Sequence, residues 1–133
     1  MSLIVKPVGD TLEPGPHGDG HSANFEELSR IPAYTPTTTV SAYEPASGEQ
    51  VWQQVLPTLT PIGSSGNLAT AGDLVFQGTD DGGFYGFHAG TGEQLFKHEA
   101  RRPVRASPLT YEVNGKQYIA VTATNTVIAF TLP

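Results

Sequence analysis

An eleven-residue phrase occurs twice in this chain. Ala42-Tyr43-Glu44-Pro45-Ala46-Ser47-Gly48-Glu49-Gln50-Val51-Trp52 returns 44 residues later as Gly86-Phe87-His88-Ala89-Gly90-Thr91-Gly92-Glu93-Gln94-Leu95-Phe96. A shorter echo, Val127-Ile128-Ala129-Phe130, lines up with Val40-Ser41-Ala42-Tyr43 at an offset of 87. Each copy carries strand-forming residues, a glycine turn and an aromatic at its far end. A period in the forties is the length of a four-stranded β-propeller blade. One blade cannot bury both of its faces, so neighbours must stack on it. The repeat therefore implies an all-β chain of antiparallel propeller blades whose open faces something else must cover.

The local signals agree with that period. There are 15 Gly and 11 Pro in 133 residues, and helix interiors tolerate neither well. Strands are expected at residues 37–43 and 50–55, joined by a turn at Ala46-Ser47-Gly48-Glu49. A Pro- and Gly-rich connection over 56–66 follows. Four further strands are expected at 67–71, 74–78, 84–88 and 94–99. Asp80-Asp81-Gly82-Gly83 reads as a tight reversal, in which glycine supplies the positive φ. Asn114-Gly115 is the strongest short hairpin signal, a type I′ turn between strands at 108–113 and 116–122. A last strand spans 127–131. The sum is two strands, then four, then three, or about two and a quarter blades. A complete ring has four to eight, so oligomerisation, strand exchange or the blades of a longer chain must complete it. Residues 37–55, from this chain or a neighbour, are the candidate for the missing outermost strand.

Residues 1–36 read as an irregular N-terminal arm, and 37–133 as the partial propeller domain. Proline punctuates the arm, and Pro14-Gly15-Pro16-His17-Gly18-Asp19-Gly20-His21 has no apolar period. Ser22-Ala23-Asn24-Phe25-Glu26-Glu27-Leu28 suits at most one helical turn, with Asn24 as its cap.

Composition removes several function classes. Net charge is −6, with only 7 Lys and Arg, which argues against nucleic acid as a partner. There is no cysteine, so disulfides and thiolate metal sites are excluded. No apolar run reaches the ~20 residues of a spanning helix, so no membrane insertion is expected. The first residues lack a signal-peptide layout. No phosphate-binding glycine loop or Gly-x-Ser-x-Gly elbow is present.

The repeated phrase resembles the tryptophan-docking motif of pyrroloquinoline quinone (PQQ)-dependent dehydrogenases, Ala-x-Asp-x-x-Thr-Gly-x-x-x-Trp. Ala42, Ser47, Gly48 and Trp52 match it, with Glu44 for the aspartate. The second copy keeps Thr91 and Gly92 but has Gly86, His88 and Phe96. Residues 68–82 and 105–121 are similar to consecutive stretches near the C-terminus of these enzymes. The resemblance covers roughly 37–133 and implies the C-terminal blades of a quinoprotein alcohol or glucose dehydrogenase-like propeller. It assigns Ala42, Gly48, Trp52, Gly86, Gly92 and Phe96 to packing between blades. It also implies an oxidoreductase lineage, a periplasmic location, and PQQ with calcium as cofactors if the family function is retained. That family holds the quinone between a tryptophan and a vicinal disulfide. Here the cysteines are absent, and Pro61-Ile62-Gly63-Ser64-Ser65-Gly66-Asn67-Leu68 lacks the tryptophan. The isolated chain is therefore expected to be catalytically incompetent. A non-enzymatic, self-assembling module that binds a partner or small anion is the alternative.

Candidate ligand-binding residues are few. Arg101, Arg102 and Arg105 lie in a connection that opens onto the binding face of propellers. Three guanidinium groups there suit a carboxylate or phosphate; the simpler role is pairing with surface acids. Gly63 and Gly66 mark the stretch that meets the cofactor in the family. His17, Asp19 and His21 have metal-ligand chemistry at i, i+2 and i+4, but an arm without regular structure must lose entropy to organise them. His88 and His98 read as single structural histidines.

Overall fold

A computed structural model describes residues 2–7, 37–59 and 64–131, with backbone only for 2–7 and 64. Among the described residues there are ten strands and no helix. They form three antiparallel sheets of three, four and three strands.

The first sheet holds β1 (Ser2–Pro7), β2 (Thr37–Tyr43) and β3 (Gln50–Pro57) in that order. The middle sheet is β4 (Ser64–Ala69), β5 (Leu74–Thr79), β6 (Gly83–His88) and β7 (Gln94–Glu99). The last contains β8 (Leu109–Val113), β9 (Lys116–Ala123) and β10 (Thr126–Thr131), ordered β10-β9-β8. Every strand pairs with its neighbour in sequence within its sheet, as in an up-and-down blade.

One strand departs from the sequence reading. Ser2–Pro7 is not irregular: it pairs antiparallel along the whole of β2, from Ser2 opposite Tyr43 to Pro7 opposite Thr38. The first blade thus has three strands, and the described strands amount to two and a half blades rather than two and a quarter. Leu3, Ile4 and Val5 are strong strand formers, but their partner lies more than thirty residues away. The supposed helical turn at 22–28 lies outside the described residues. Residues 37–57 are occupied by pairing with β1 and with each other, so within this chain they do not complete the third sheet.

The sheets stack face to face, with the four-stranded one in the middle. Alternation along β5 and β6 sends Phe76 and Phe84 to one side and Tyr85 and Phe87 to the other. Both faces are covered, so every residue of β6 up to Phe87 is buried. Val40, Ala42, Trp52 and Leu56 of the first sheet pack with Tyr85 and Phe87. Phe76 and Phe84 pack with Val104 and with Ile119, Val121 and Ala123 of the third sheet. The outward face of the third sheet is uncovered: Leu109, Tyr111, Val113 and Val127 are 54%, 40%, 47% and 72% exposed. The Asn114-Gly115 turn has φ of 52° and 74°, the left-handed pair a type I′ reversal requires.

Candidate functional site

The connections segregate to two ends of the stack. One end gathers the turns that enter β3, β5, β7 and β9. The other gathers the links β3–β4, β5–β6, β7–β8 and β9–β10.

At the first end, sheets one and two are pinned by Trp52. Its indole Nε1 donates to the Ala89 carbonyl at 2.7 Å. The neighbouring Gln54 donates through Nε2 to the Gly92 carbonyl at 2.8 Å. The indole lies so close to Gly92 that a Cβ there would meet Cδ2 at 2.6 Å, and Gly92 has φ +74°. Glycine is thus required twice over, for backbone conformation and for ring approach. Ala42 is fully buried in the same cluster. Gly48 occupies the equivalent turn of the first sheet, also at positive φ, but is exposed with nothing against it. Gly86 faces Phe76 and Phe96, whose nearest atoms would lie 3.1 and 3.2 Å from an added Cβ. Phe96 stands where Trp52 does in the other copy, and packs edge-on against Phe84 and Phe130 at centroid separations of 6.2 and 5.2 Å.

The second end is polar. Asp80 is completely buried, and its Oδ1 accepts from Thr58 Oγ1 at 2.7 Å and from the Leu59 amide at 2.6 Å. Its sequence neighbour Asp81 does the turn chemistry, accepting from Thr79 Oγ1 and from the Gly83 amide. The sequence reading of both aspartates as turn residues is therefore corrected for Asp80: it ties the β3–β4 link to the middle sheet. Gln77, also fully buried, donates through Nε2 to Ser65 and to the Gly78 carbonyl. Its Oε1 has no partner among the described residues.

Arg101, Arg102 and Arg105 are at this polar end and all three are exposed. The backbone around them is fixed, with the Ala100 amide on the Gly82 carbonyl and the Val104 amide on the Thr79 carbonyl. Arg101 itself has φ 56°. Among the described residues none of the three forms an ion pair, so the expected pairing with surface acids is not seen. Gly66 packs against Ser107, whose Oγ occupies the space a Cβ would need. Gly63, His17, Asp19 and His21 lie outside the described residues. His98 packs edge-on against Phe130 at 5.1 Å.

Two groups between the ends have shifted proton affinities. Burial, reinforced by the charge of Asp81, pushes the Tyr85 phenol above its usual value. The Lys97 ammonium is raised chiefly by its hydrogen bond to Glu99, with Nζ 2.6 Å from the carboxylate.

A family model described as outer membrane protein assembly factor BamB, the PQQ_2 model, matches residues 36–132. The chain belongs to the family of PQQ-type, quinoprotein dehydrogenase-like β-propellers. Among curated relatives of this propeller family, quinohemoprotein alcohol dehydrogenase ADH IIB of Pseudomonas putida is 35% identical over 102 residues, covering 77% of this chain and 14% of the relative. The dehydrogenase subunit of the quinone alcohol dehydrogenase of Acetobacter aceti is 44% identical over 80 residues, covering 60% and 10%. The crystal structure of quinohemoprotein alcohol dehydrogenase from Comamonas testosteroni superposes with a TM-score of 0.61 at 37% identity, covering 69% of this chain and 13% of that one. The chain thus spans only 10% to 14% of the length of these relatives. No helix among the described residues is long and apolar enough to cross a membrane.

A PQQ and calcium site needs an aromatic platform, converging oxygen ligands for the metal, and cations for the quinone carboxylates. Only the last is present among the described residues, in the three arginines. Among the described residues no group of three His, Asp or Glu side chains converges, and Trp52, Phe76, Phe84, Phe87, Phe96 and Phe130 are engaged between sheets. The donor set described here does not fit the cofactor.

Proposed function

We propose that this chain is a structural wedge of a quinoprotein alcohol dehydrogenase-type propeller, unable to carry out the oxidation by itself. The wedge stacks on further blades, either those of a longer chain or those of other copies. The observation that supports it most directly is the seam at Trp52. A side chain from one sheet reaches into the turn of the next, as a ring of blades requires. The uncovered apolar face of the third sheet supports it too, because a propeller blade in a ring has both faces packed. Two copies bring six sheets, within the four to eight that close a ring. The family lineage makes the periplasm the expected compartment.

A second reading rests on Arg101, Arg102 and Arg105. Exposed guanidinium groups on one braced loop suit a small carboxylate or phosphate, and would make the assembly an anion-binding module.

Solution mass and cofactor binding test these readings together. Sedimentation should give a multiple of the 14.1 kDa chain mass. Equilibrium dialysis with PQQ and calcium should show no stoichiometric binding, and dye-linked ethanol oxidation should stay at background. One PQQ per chain with turnover overturns the wedge reading. A stable monomer shows that its faces need no blades of other copies. Loss of citrate or phosphate binding in the Arg101→Ala, Arg102→Ala, Arg105→Ala triple variant supports the anion site; a parent protein that binds neither overturns it.

A further inference from the structure

The two turns of the repeated phrase have the same backbone and different keystones. In both, the amide of the first turn residue bonds to a carbonyl five positions on: Glu44 to Glu49, and His88 to Glu93, each at 2.8 Å. In both, a glycine amide closes the turn back onto that first residue: Gly48 onto Glu44, and Gly92 onto His88, again at 2.8 Å. Both turns also use a hydroxyl, Ser47 Oγ accepting from the Glu49 amide and Thr91 Oγ1 from the Glu93 amide, but among the described residues only the second has its first residue's side chain bonded inside it. His88 Nδ1 accepts from the Gly90 amide at 3.1 Å and from the Thr91 amide at 3.2 Å. Gly90 makes room for this, since a Cβ there would lie 3.2 Å from His88 Cε1. The same turn presents the Ala89 and Gly92 carbonyls that receive Trp52 and Gln54.

An imidazole nitrogen that accepts two N–H groups must carry no proton, so the ring is neutral and protonated only on Nε2. We propose that His88 is a pH-sensitive keystone of the Trp52 seam. Proton uptake on Nδ1 turns the acceptor into a donor facing two donors. Both bonds are lost together, and the turn that holds Trp52 is left with its backbone bonds and the Thr91 hydroxyl, with the Gly90 and Thr91 amides unpaired by the ring. Histidine is the residue for which this occurs between about pH 5 and 8; a carboxylate at the same position, as Glu44 is in the other copy, does not respond there.

Among the described residues, no other histidine lies at this end of the elements around His88. The charged residues on the elements around His88 are Asp73, just before β5, whose carbonyl holds the Ala89 amide, and Glu93 within the turn. The first sheet contributes the uncharged Trp52 and Gln54, and its β2–β3 turn at the same end carries the carboxylates Glu44 and Glu49. Lys97, His98 and Glu99 pair with Tyr85, Phe84 and Gly83 at the far end of β6. The third-sheet side chains packed on the middle sheet are apolar.

Trp52 is the one tryptophan of the chain, so its emission reads the seam directly. The full chain is titrated from pH 8 to pH 5 while tryptophan emission and the His88 imidazole resonances are followed. The emission maximum should move to longer wavelength with the same midpoint as the His88 ring. In His88→Asn, which keeps an acceptor without a titrating proton, emission at pH 8 should match the parent and the transition should vanish. In His88→Asp the transition should move to lower pH, out of the range between pH 8 and pH 5. Flat parent emission, different midpoints for the two probes, or an unaltered transition in His88→Asn overturns the proposal. Should His88→Asn fail to fold, the paired midpoints in the parent and the displacement in His88→Asp still decide it.

Discussion

The middle sheet meets its two neighbours by different means. Toward the first sheet the seam is directional. Trp52, Gln54, Thr58 and the Leu59 amide each place a hydrogen bond on a defined atom of the middle sheet. Toward the third sheet the seam is volume. Phe84 stacks between Phe76 and Phe130 at 5.8 and 5.5 Å, and Phe96 meets Phe84 and Phe130 edge-on. Among the described residues no side-chain hydrogen bond crosses that seam. Hydrogen bonds contribute modestly in net terms but are costly to leave half-made, so the first seam fixes register and orientation. Aromatic packing contributes through large buried area, with offset or edge-on ring geometry in place of an atom-to-atom bond. The phrase that repeats in the sequence thus builds two kinds of joint. The exchange of Trp52 for Phe96 accompanies that change, because phenylalanine has no N–H to aim.

The largest expected effect is on the volume seam. Phe84→Ala empties the centre of a three-ring stack and should destabilise by about 4–5 kcal/mol, the upper part of the range for buried phenylalanine, measured by urea unfolding. Native-state hydrogen exchange should show β8–β10 losing protection before β2 and β3. Equal loss in all three sheets would mean the two seams are one cooperative unit, and the contrast drawn here would fail.

Trp52→Ala comes next, at about 3–4 kcal/mol, with the opposite exchange pattern: β2 and β3 open first. Trp52→Phe separates packing from direction. It keeps a ring against Gly92 but loses the bond to the Ala89 carbonyl, and should cost only about 1–2 kcal/mol. Equal costs for the two variants would show that the indole N–H, and not the ring, makes the joint.

Asp80→Ala removes one acceptor from two donors at once and should cost about 2–3 kcal/mol, because the Thr58 hydroxyl and Leu59 amide are left behind. Its exchange signature should follow Trp52→Ala rather than Phe84→Ala, although the two sites are at opposite ends of the seam. A surface-like cost below about 0.5 kcal/mol would remove Asp80 from the account of how the sheets are joined.

What the sequence made legible, and what it hid, divides along the same line. Local chemistry was readable: the strands of the middle sheet, the Asn114-Gly115 reversal and the all-β class follow from period and turn residues. Features made by residues distant in sequence were not. Ser2–Pro7 carries a strand former's composition, but nothing within thirty residues pairs with it. Asp80 and Asp81 are adjacent and look interchangeable in a turn; only the approach of Thr58 and Leu59 from another sheet separates them. His88 is a local exception: it sits where the family motif has an aspartate, a visible substitution, but which ring nitrogen meets the Gly90 and Thr91 amides is set only by the folded turn. The arginines were legible as a cluster because three fall within five positions, but that none of them meets an acid among the described residues is a property of the folded loop.

The smallest effect expected is an alkaline one, and it too discriminates between the seams. Tyr85 belongs to the first seam, stacked on Phe87 at 6.1 Å with the Lys97 ammonium 5.4 Å from its ring. Burial, and secondarily Asp81, raise its phenol above the ordinary value of 10.0. A phenol that holds its proton more tightly when folded contributes stability that is complete below pH 10.0. That contribution is lost as pH rises through the folded-state value. Above about pH 10 the first seam should therefore loosen before the second, seen as earlier exchange in β2 and β3. The third-sheet side of the middle sheet presents no phenol to ionise: Phe76, Phe84 and Phe96 stand where Tyr85 would need a counterpart. In Tyr85→Phe the alkaline tyrosine absorbance change should shrink by one residue, and with it the alkaline difference between the seams should disappear. Persistence of that difference without the phenol would assign it to Lys97 losing its charge beside Glu99, and would move the pH sensitivity from the buried face of β6 to the exposed face of β7.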